Sequence, residues 1–161
     1  MKKVFIGIGG NVGNVQENIK IATAQIARKI GPITKESSLY KTAPWGFTNQ
    51  NDFLNKVIVA STELKPSDVL SNLLTIESNM GRNRHADNKN APRTIDLDIL
   101  FYEDQIVSGD NLIIPHPRLH LRNFVLTPLV EIAPDLKHPI LLKTIKEILS
   151  ETNDNSEVNK L

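Results

Sequence analysis

Between Ile95 and Tyr102 every residue is apolar or aromatic except Asp96 and Asp98, and the run is dense in residues that favour extended backbone. Such a segment reads as a strand. Alternation then sets Asp96 and Asp98 on one face and Ile95, Leu97 and Ile99 on the other. A chain with this strand has to seal one side of a sheet and leave the other side reachable where the aspartates stand. Other segments supply the rest of the sheet. Val4 to Ile8 reads as a buried strand ending in a glycine turn, Ile33 to Lys41 as a second strand, and Phe53 to Thr62 as a third. Between them, Ile19, Ala22, Ile26 and Ile30 recur at helical spacing behind Asn14, a candidate cap. Val69, Leu70, Leu73, Leu74, Ile76 and Met80 do the same behind Pro66.

The order strand, helix, strand, strand, helix, strand implies an α+β fold with a ferredoxin-like β-α-β-β-α-β core. Its sheet is expected to be mainly antiparallel, with helices packed on it and an added hairpin over Gln105 to Ile114. A short apolar helix or turn over Arg122 to Ile132 and an amphipathic helix over Leu142 to Leu149 follow. The polar tail from about residue 150 is expected to fray. The 161 residues suit one domain spanning 1–161. A formal net charge of +1 argues against a polybasic nucleic-acid surface, and the absence of cysteine excludes thiolate chemistry and zinc-thiolate sites. No apolar stretch reaches the roughly 20 residues that span a bilayer, so the expectation is a cytoplasmic chain without membrane or nucleic-acid partners.

Two carboxylates side by side in an apolar strand repel each other and lose hydration. A solvated sheet edge would relieve them. So would a hard divalent cation shared with substrate phosphates, magnesium above all. The neighbouring residues favour the cation. Arg82, Arg84, His85 and Arg93 lie upstream, and His116, Arg118, His120 and Arg122 downstream. Guanidinium forks suit phosphate oxygens and stay charged at any working pH. Taken singly each arginine is an ordinary surface charge, but around an acidic pair they form what phosphoryl transfer needs. His116, held stiff between Pro115 and Pro117, suits donation to a phosphate. The other histidines stay open between phosphate contact and plain surface.

Gly7-Ile8-Gly9-Gly10-Asn11-Val12-Gly13 is neither a dinucleotide fingerprint nor a P-loop. It reads as a tight strand-to-helix turn, structural or ligand-approaching. Thr42-Ala43-Pro44-Trp45-Gly46-Phe47, followed by Phe53 and Asn55, could stack a planar heterocycle and read its polar edge, or simply join the core.

Together these residues resemble the 6-hydroxymethyl-7,8-dihydropterin pyrophosphokinases. The likeness rests on Gly7 to Asn11, Thr42-Ala43-Pro44, Phe53-Leu54-Asn55, Glu77 with Gly81-Arg82, Pro92-Arg93-Thr94-Ile95-Asp96-Leu97-Asp98-Ile99, and Pro115 to Arg118 running on to Arg122 and Phe124. The resemblance implies transfer of pyrophosphate from ATP to the hydroxymethyl group of a dihydropterin in folate biosynthesis, releasing AMP. It implies that Asp96 and Asp98 hold two Mg2+ ions and that Arg82 and Arg93 act with them in catalysis. Glu77, Arg82, Arg84, Arg93, Ile99, His116, Arg118 and Arg122 would bind ATP. Thr42, Ala43, Pro44, Phe53, Asn55 and Phe124 would form the pterin pocket. Departures from the family pattern are His85 after Arg84, Lys89-Asn90-Ala91 in place of a Trp-Gly pair, Phe53 for a common Tyr, and Leu121 for a common Glu. A monofunctional monomer is expected. A noncatalytic RNA-binding module of the same fold would need more aromatic and basic surface than a chain that is 5% aromatic carries. Another nucleotide-dependent transferase with a different acceptor is the nearer rival.

Overall fold

A computed structural model describes residues 1–43, 51–82 and 93–161. Pro44, Trp45, Phe47, Arg84, His85 and the segment Lys89-Asn90-Ala91 lie outside the described residues. The chain runs β1 (Lys2–Gly10), α1 (Val15–Lys29), β2 (Ile33–Glu36), β3 (Tyr40–Thr42), β4 (Phe53–Thr62), α2 (Pro66–Asn79), β5 (Asp96–Tyr102), β6 (Val107–Ser108), β7 (Ile113–Ile114), α3 (Asn123–Ile132), α4 (Ile145–Glu151) and β8 (Asn159–Lys160). The main sheet has the order β5-β1-β4-β3-β8, with β2 also on β4, and every pairing is antiparallel. Counting β2 and β3 as one interrupted strand gives the expected ferredoxin-like order. The hairpin is the small β6–β7 pair.

Asn14 caps α1 through its side chain, which accepts the Glu17 amide at 3.2 Å. Pro66 opens α2, and Gly81, at φ 89°, stops it in a conformation that a side chain would strain. Both helices lie on one face. There Val4, Ile6, Ile8, Ile58, Ala60, Leu97 and Ile99 meet Ile19, Ile26, Val69, Leu73 and Ile76. The other face carries Phe5, Val57, Val59, Leu100 and Phe101 under Leu126, Leu129, Ile145 and Ile148 of α3 and α4.

Three features depart from the sequence reading. β1 continues through Gly9 and Gly10 instead of turning there. The single strand expected over 33–41 is broken at Ser37, whose hydroxyl accepts the Val57 amide at 2.9 Å and so stands in for a strand carbonyl. The tail expected to fray is laid back on the domain. Asp154 accepts the Asn123 amide at 2.8 Å at the start of α3, and β8 then pairs with β3. An uncapped helix start and an open sheet edge give these polar residues partners.

Candidate active site

The register of three strands builds the site. Asp96 pairs with Gly9, which pairs with Asn55; one row along, Asp98 pairs with Gly7, which pairs with Val57. All six positions face away from α1 and α2. Strands lie about 4.8 Å apart, so the Asp96 and Asn55 backbones stand roughly 10 Å apart with glycine between. Two glycines in the middle strand leave a floor without side chains. The approach is close: a Cβ on Gly9 would come within 2.5 Å of Asn55 Oδ1. Above this floor opens a cleft of about 860 Å³, mouth included, lined by both aspartates, Thr42, Ala43, Phe53, Asn55, Arg93, His116, Arg122, Phe124, Val125 and Leu100.

The acidic pair is held from below and from the side. Glu77, almost wholly buried on α2, accepts the Leu97 amide at 2.7 Å, between the two aspartates along the strand. Arg82 donates to the Ile95 carbonyl at 3.0 Å and lies 3.4 Å from Asp96 Oδ1. Arg93 reaches Asp96 Oδ2 at 3.2 Å while its guanidinium lies 5.3 Å from the centre of the Phe53 ring. Across the cleft, the Arg122 guanidinium lies 5.5 Å from the Phe124 ring. Burial lowers the Arg122 pKa and Asp98 opposes that shift; a guanidinium stays charged at any working pH regardless. His116 Nδ1 accepts the Arg118 amide at 3.1 Å, which leaves Nε2 to carry the proton of the neutral ring. At the opposite end of the glycine floor, Asn55 Nδ2 donates to Thr42 Oγ1 at 3.4 Å.

The structure therefore gathers Asp96, Asp98, Arg93, His116, Arg122, Thr42, Ala43, Phe53, Asn55 and Phe124 around one cleft. Arg82 and Glu77 support the aspartates from behind. Arg118 is exposed outside the cleft lining, and the Ile99 side chain lies in the core beneath α1 and α2, on the opposite face from the aspartates. Pro44 and Arg84 lie outside the described residues. The sequence reading missed Gly7 and Gly9 as floor, and Val57, Leu100 and Val125 as apolar lining. Strand pairing of β1 between two half-polar strands would have been the signal.

Fold and cleft define a small α+β protein with an acidic pair under arginines at one end of a glycine floor and an amide with aromatic rings at the other. The chain belongs to the 7,8-dihydro-6-hydroxymethylpterin-pyrophosphokinase (HPPK) family, whose model matches residues 5–134. It is 39% identical to the 2-amino-4-hydroxy-6-hydroxymethyldihydropteridine pyrophosphokinase of Aquifex aeolicus, covering 94% of this chain and 92% of that one. The protein of that name from Methylorubrum extorquens is also 39% identical, covering 94% of each. Among solved structures, Plasmodium falciparum HPPK-DHPS wild type with pteroate matches with a TM-score of 0.75 at 18% identity, over 93% of this chain. That likeness shows the fold, and this chain spans 42% of that longer one.

Proposed function

We propose that the cleft binds ATP and 6-hydroxymethyl-7,8-dihydropterin side by side and transfers pyrophosphate between them, giving the pterin diphosphate and AMP in folate biosynthesis. The observation that carries this reading is the row Asp96–Gly9–Asn55, which sets an acidic end and a hydrogen-bonding end across a bare floor. Family membership names the two substrates. In the transfer the pterin hydroxyl oxygen bonds to the β-phosphorus, the bond from that phosphorus to the α–β bridging oxygen breaks, and AMP departs with that oxygen. The hydroxyl proton passes to solvent water.

Among the described residues no group of three or more His, Cys, Asp or Glu side chains converges on a metal position. Two carboxylates are nevertheless the donor set magnesium takes when phosphate oxygens and water supply the rest, so Asp96 and Asp98 fit Mg2+, and the family resemblance implies two such ions. Bound there, the cations would neutralise charge on the transferring group and orient the attacking oxygen. Arg82 holds Asp96 in place, and Arg93 is set to meet the phosphates beside it. The Nε2–H of His116 and the guanidinium of Arg122 are further donors for polyphosphate, with Glu77, Arg84, Ile99 and Arg118 as the remaining ATP-side residues. Thr42, Ala43, Pro44, Phe53, Asn55 and Phe124 hold the pterin. Asn55 reads its edge, and the Phe53 and Phe124 rings offer apolar walls beside their guanidinium neighbours.

The same reading makes the protein a cytoplasmic monomer with no nucleic-acid or membrane partner, in keeping with its near-neutral, cysteine-free composition. No helix among the described residues is long and apolar enough to cross a membrane. Incubation with ATP, Mg2+ and the dihydropterin should yield AMP by chromatography. Absence of AMP above a control without pterin would end this reading, and a dimer in sedimentation equilibrium would end the monomer.

A further inference from the structure

We propose that Asn11 is a positioning residue that locks the polyphosphate side of the cleft to its pterin side. The inference rests on the functional reading above for what the two sides bind, but its geometry stands without it. Asn11 is 1% exposed, at the end of β1, a degree of burial that a polar side chain tolerates only when hydrogen-bonded. Its Oδ1 accepts the Arg93 amide at 2.9 Å, and its own amide donates to the Arg93 carbonyl at 2.9 Å. The Arg93 backbone is thus gripped at both of its polar groups by one residue. In the other direction Asn11 Nδ2 donates to the Asn51 carbonyl at 3.0 Å, and Asn51 Nδ2 returns a bond to the Asn11 carbonyl at 3.4 Å.

What Asn11 holds is what the cleft uses. Arg93 carries the guanidinium beside Asp96, and Asn51 leads two residues on into Phe53, whose ring lies under that guanidinium. The end of β1 has no slack. A Cβ on Gly10 would lie 2.6 Å from the Thr94 carbonyl oxygen, so the strand backbone packs directly on the segment it positions. Only an amide side chain of this length supplies one acceptor for Arg93 and one donor for Asn51. Alanine supplies neither. Aspartate keeps the acceptor, loses the donor and sets a carboxylate against the Asn51 carbonyl.

The test uses the full chain and begins with the unaltered protein. Amide hydrogen exchange should find the Arg93 amide protected; exchange at the rate of an open loop overturns the clamp. In Asn11→Ala that protection should be lost and kcat should fall roughly tenfold to a hundredfold, as befits one or two buried bonds left unmade. Asn11→Asp should retain the Arg93 protection and raise the pterin KM more than the ATP KM. A role confined to stability predicts instead a lowered melting temperature with kcat and both KM values of the folded enzyme unchanged, and that result overturns the proposal. If the unaltered protein makes no AMP, the pterin reading fails while the exchange experiment still decides the clamp.

Discussion

The two faces of the sheet are built from the same strands and do opposite things. On the face under α1 and α2, Val4, Ile6, Ile8, Ile58, Ala60 and Leu97 are at most 2% exposed and meet apolar helix residues throughout. On the other face the apolar cover of α3 and α4 stops partway along. The strands then present Gly7, Gly9, Asn55, Asp96 and Asp98 to a cleft. Each residue of the open cleft alternates along its strand with a residue of the sealed core, so the core holds the cleft's backbone rigid while the cleft contributes little burial of its own. Stability and chemistry are separated by the pleat and not by distance.

That separation can be attacked from both sides. Asp98→Ala should lower turnover by several kcal/mol in barrier, on the order of a thousandfold, because a carboxylate proposed to hold the cations that neutralise the transferring phosphate is gone. Its melting temperature should stay near that of the parent or rise, since removing one of two like charges relieves repulsion. Near-normal turnover would remove Asp98 from the chemistry. Leu73→Ala strikes the sealed face, at a side chain that is wholly buried. It should cost about 2–5 kcal/mol in denaturant unfolding, with kcat of the folded fraction kept. A variant that loses turnover in proportion to stability would show that the two faces are not separable.

Gly9→Ala probes the floor itself. Its Cβ would meet the end of the Asn55 side chain, which must swing aside, and Leu54 O at 3.3 Å. Because an amide can rotate away, the fold should survive while the pterin edge loses the partner proposed for it in Asn55. A rise in pterin KM of about tenfold, one buried hydrogen bond's worth, is expected at unchanged ATP KM. Equal effects on both substrates would mean that the glycine shapes the whole cleft.

How much of this was legible follows from the range of each interaction. Asp96 and Asp98 could be read because a strand's period of two needs only neighbours. Further along β5 that rule stops working. The register shifts opposite Phe5 and Ile6, so Leu100 and Phe101 both serve the α3–α4 side, and a uniformly apolar run carries no mark of it. Gly9 looked like a turn residue because glycine's local preference is a turn. Its role as floor depends on Asn55 and Asp96, brought in by pairing. Asn11 carries no local mark within the glycine segment, since its partners lie 40 and 82 positions away. The tail's polarity read as fraying, and only tertiary structure reveals the bare edge of β3 that it covers.

The open face also differs in how its helices are tied down, and pH is the lever for that. α3 is fastened to the β2–β3 break by Glu131, which accepts from the Ser38 amide at 2.8 Å, the Ser38 hydroxyl at 2.7 Å and the Tyr40 hydroxyl at 2.9 Å. Burial pushes the Tyr40 pKa up, aided by its hydrogen bond to the Glu131 carboxylate, to about 12. Burial alone would raise Glu131, but the bonds from Ser38 and Tyr40 outweigh it and hold its pKa below the ordinary value. The signs are opposite. Tyr40 contributes stability that is complete below its unfolded pKa of about 10 and is lost as pH rises toward 12. Glu131 contributes stability present above its ordinary carboxylate range and lost as pH falls through its lowered folded value. Tyr40→Phe should therefore flatten the alkaline fall in melting temperature while costing about 1 kcal/mol at neutral pH for the missing bond. The acid limb should survive in reduced form, because the Ser38 bonds remain. An alkaline limb unchanged in Tyr40→Phe would move the titration elsewhere, and with it the claim that α3 carries a charged tether on top of the apolar burial that holds it, like α1 and α2, to the sheet.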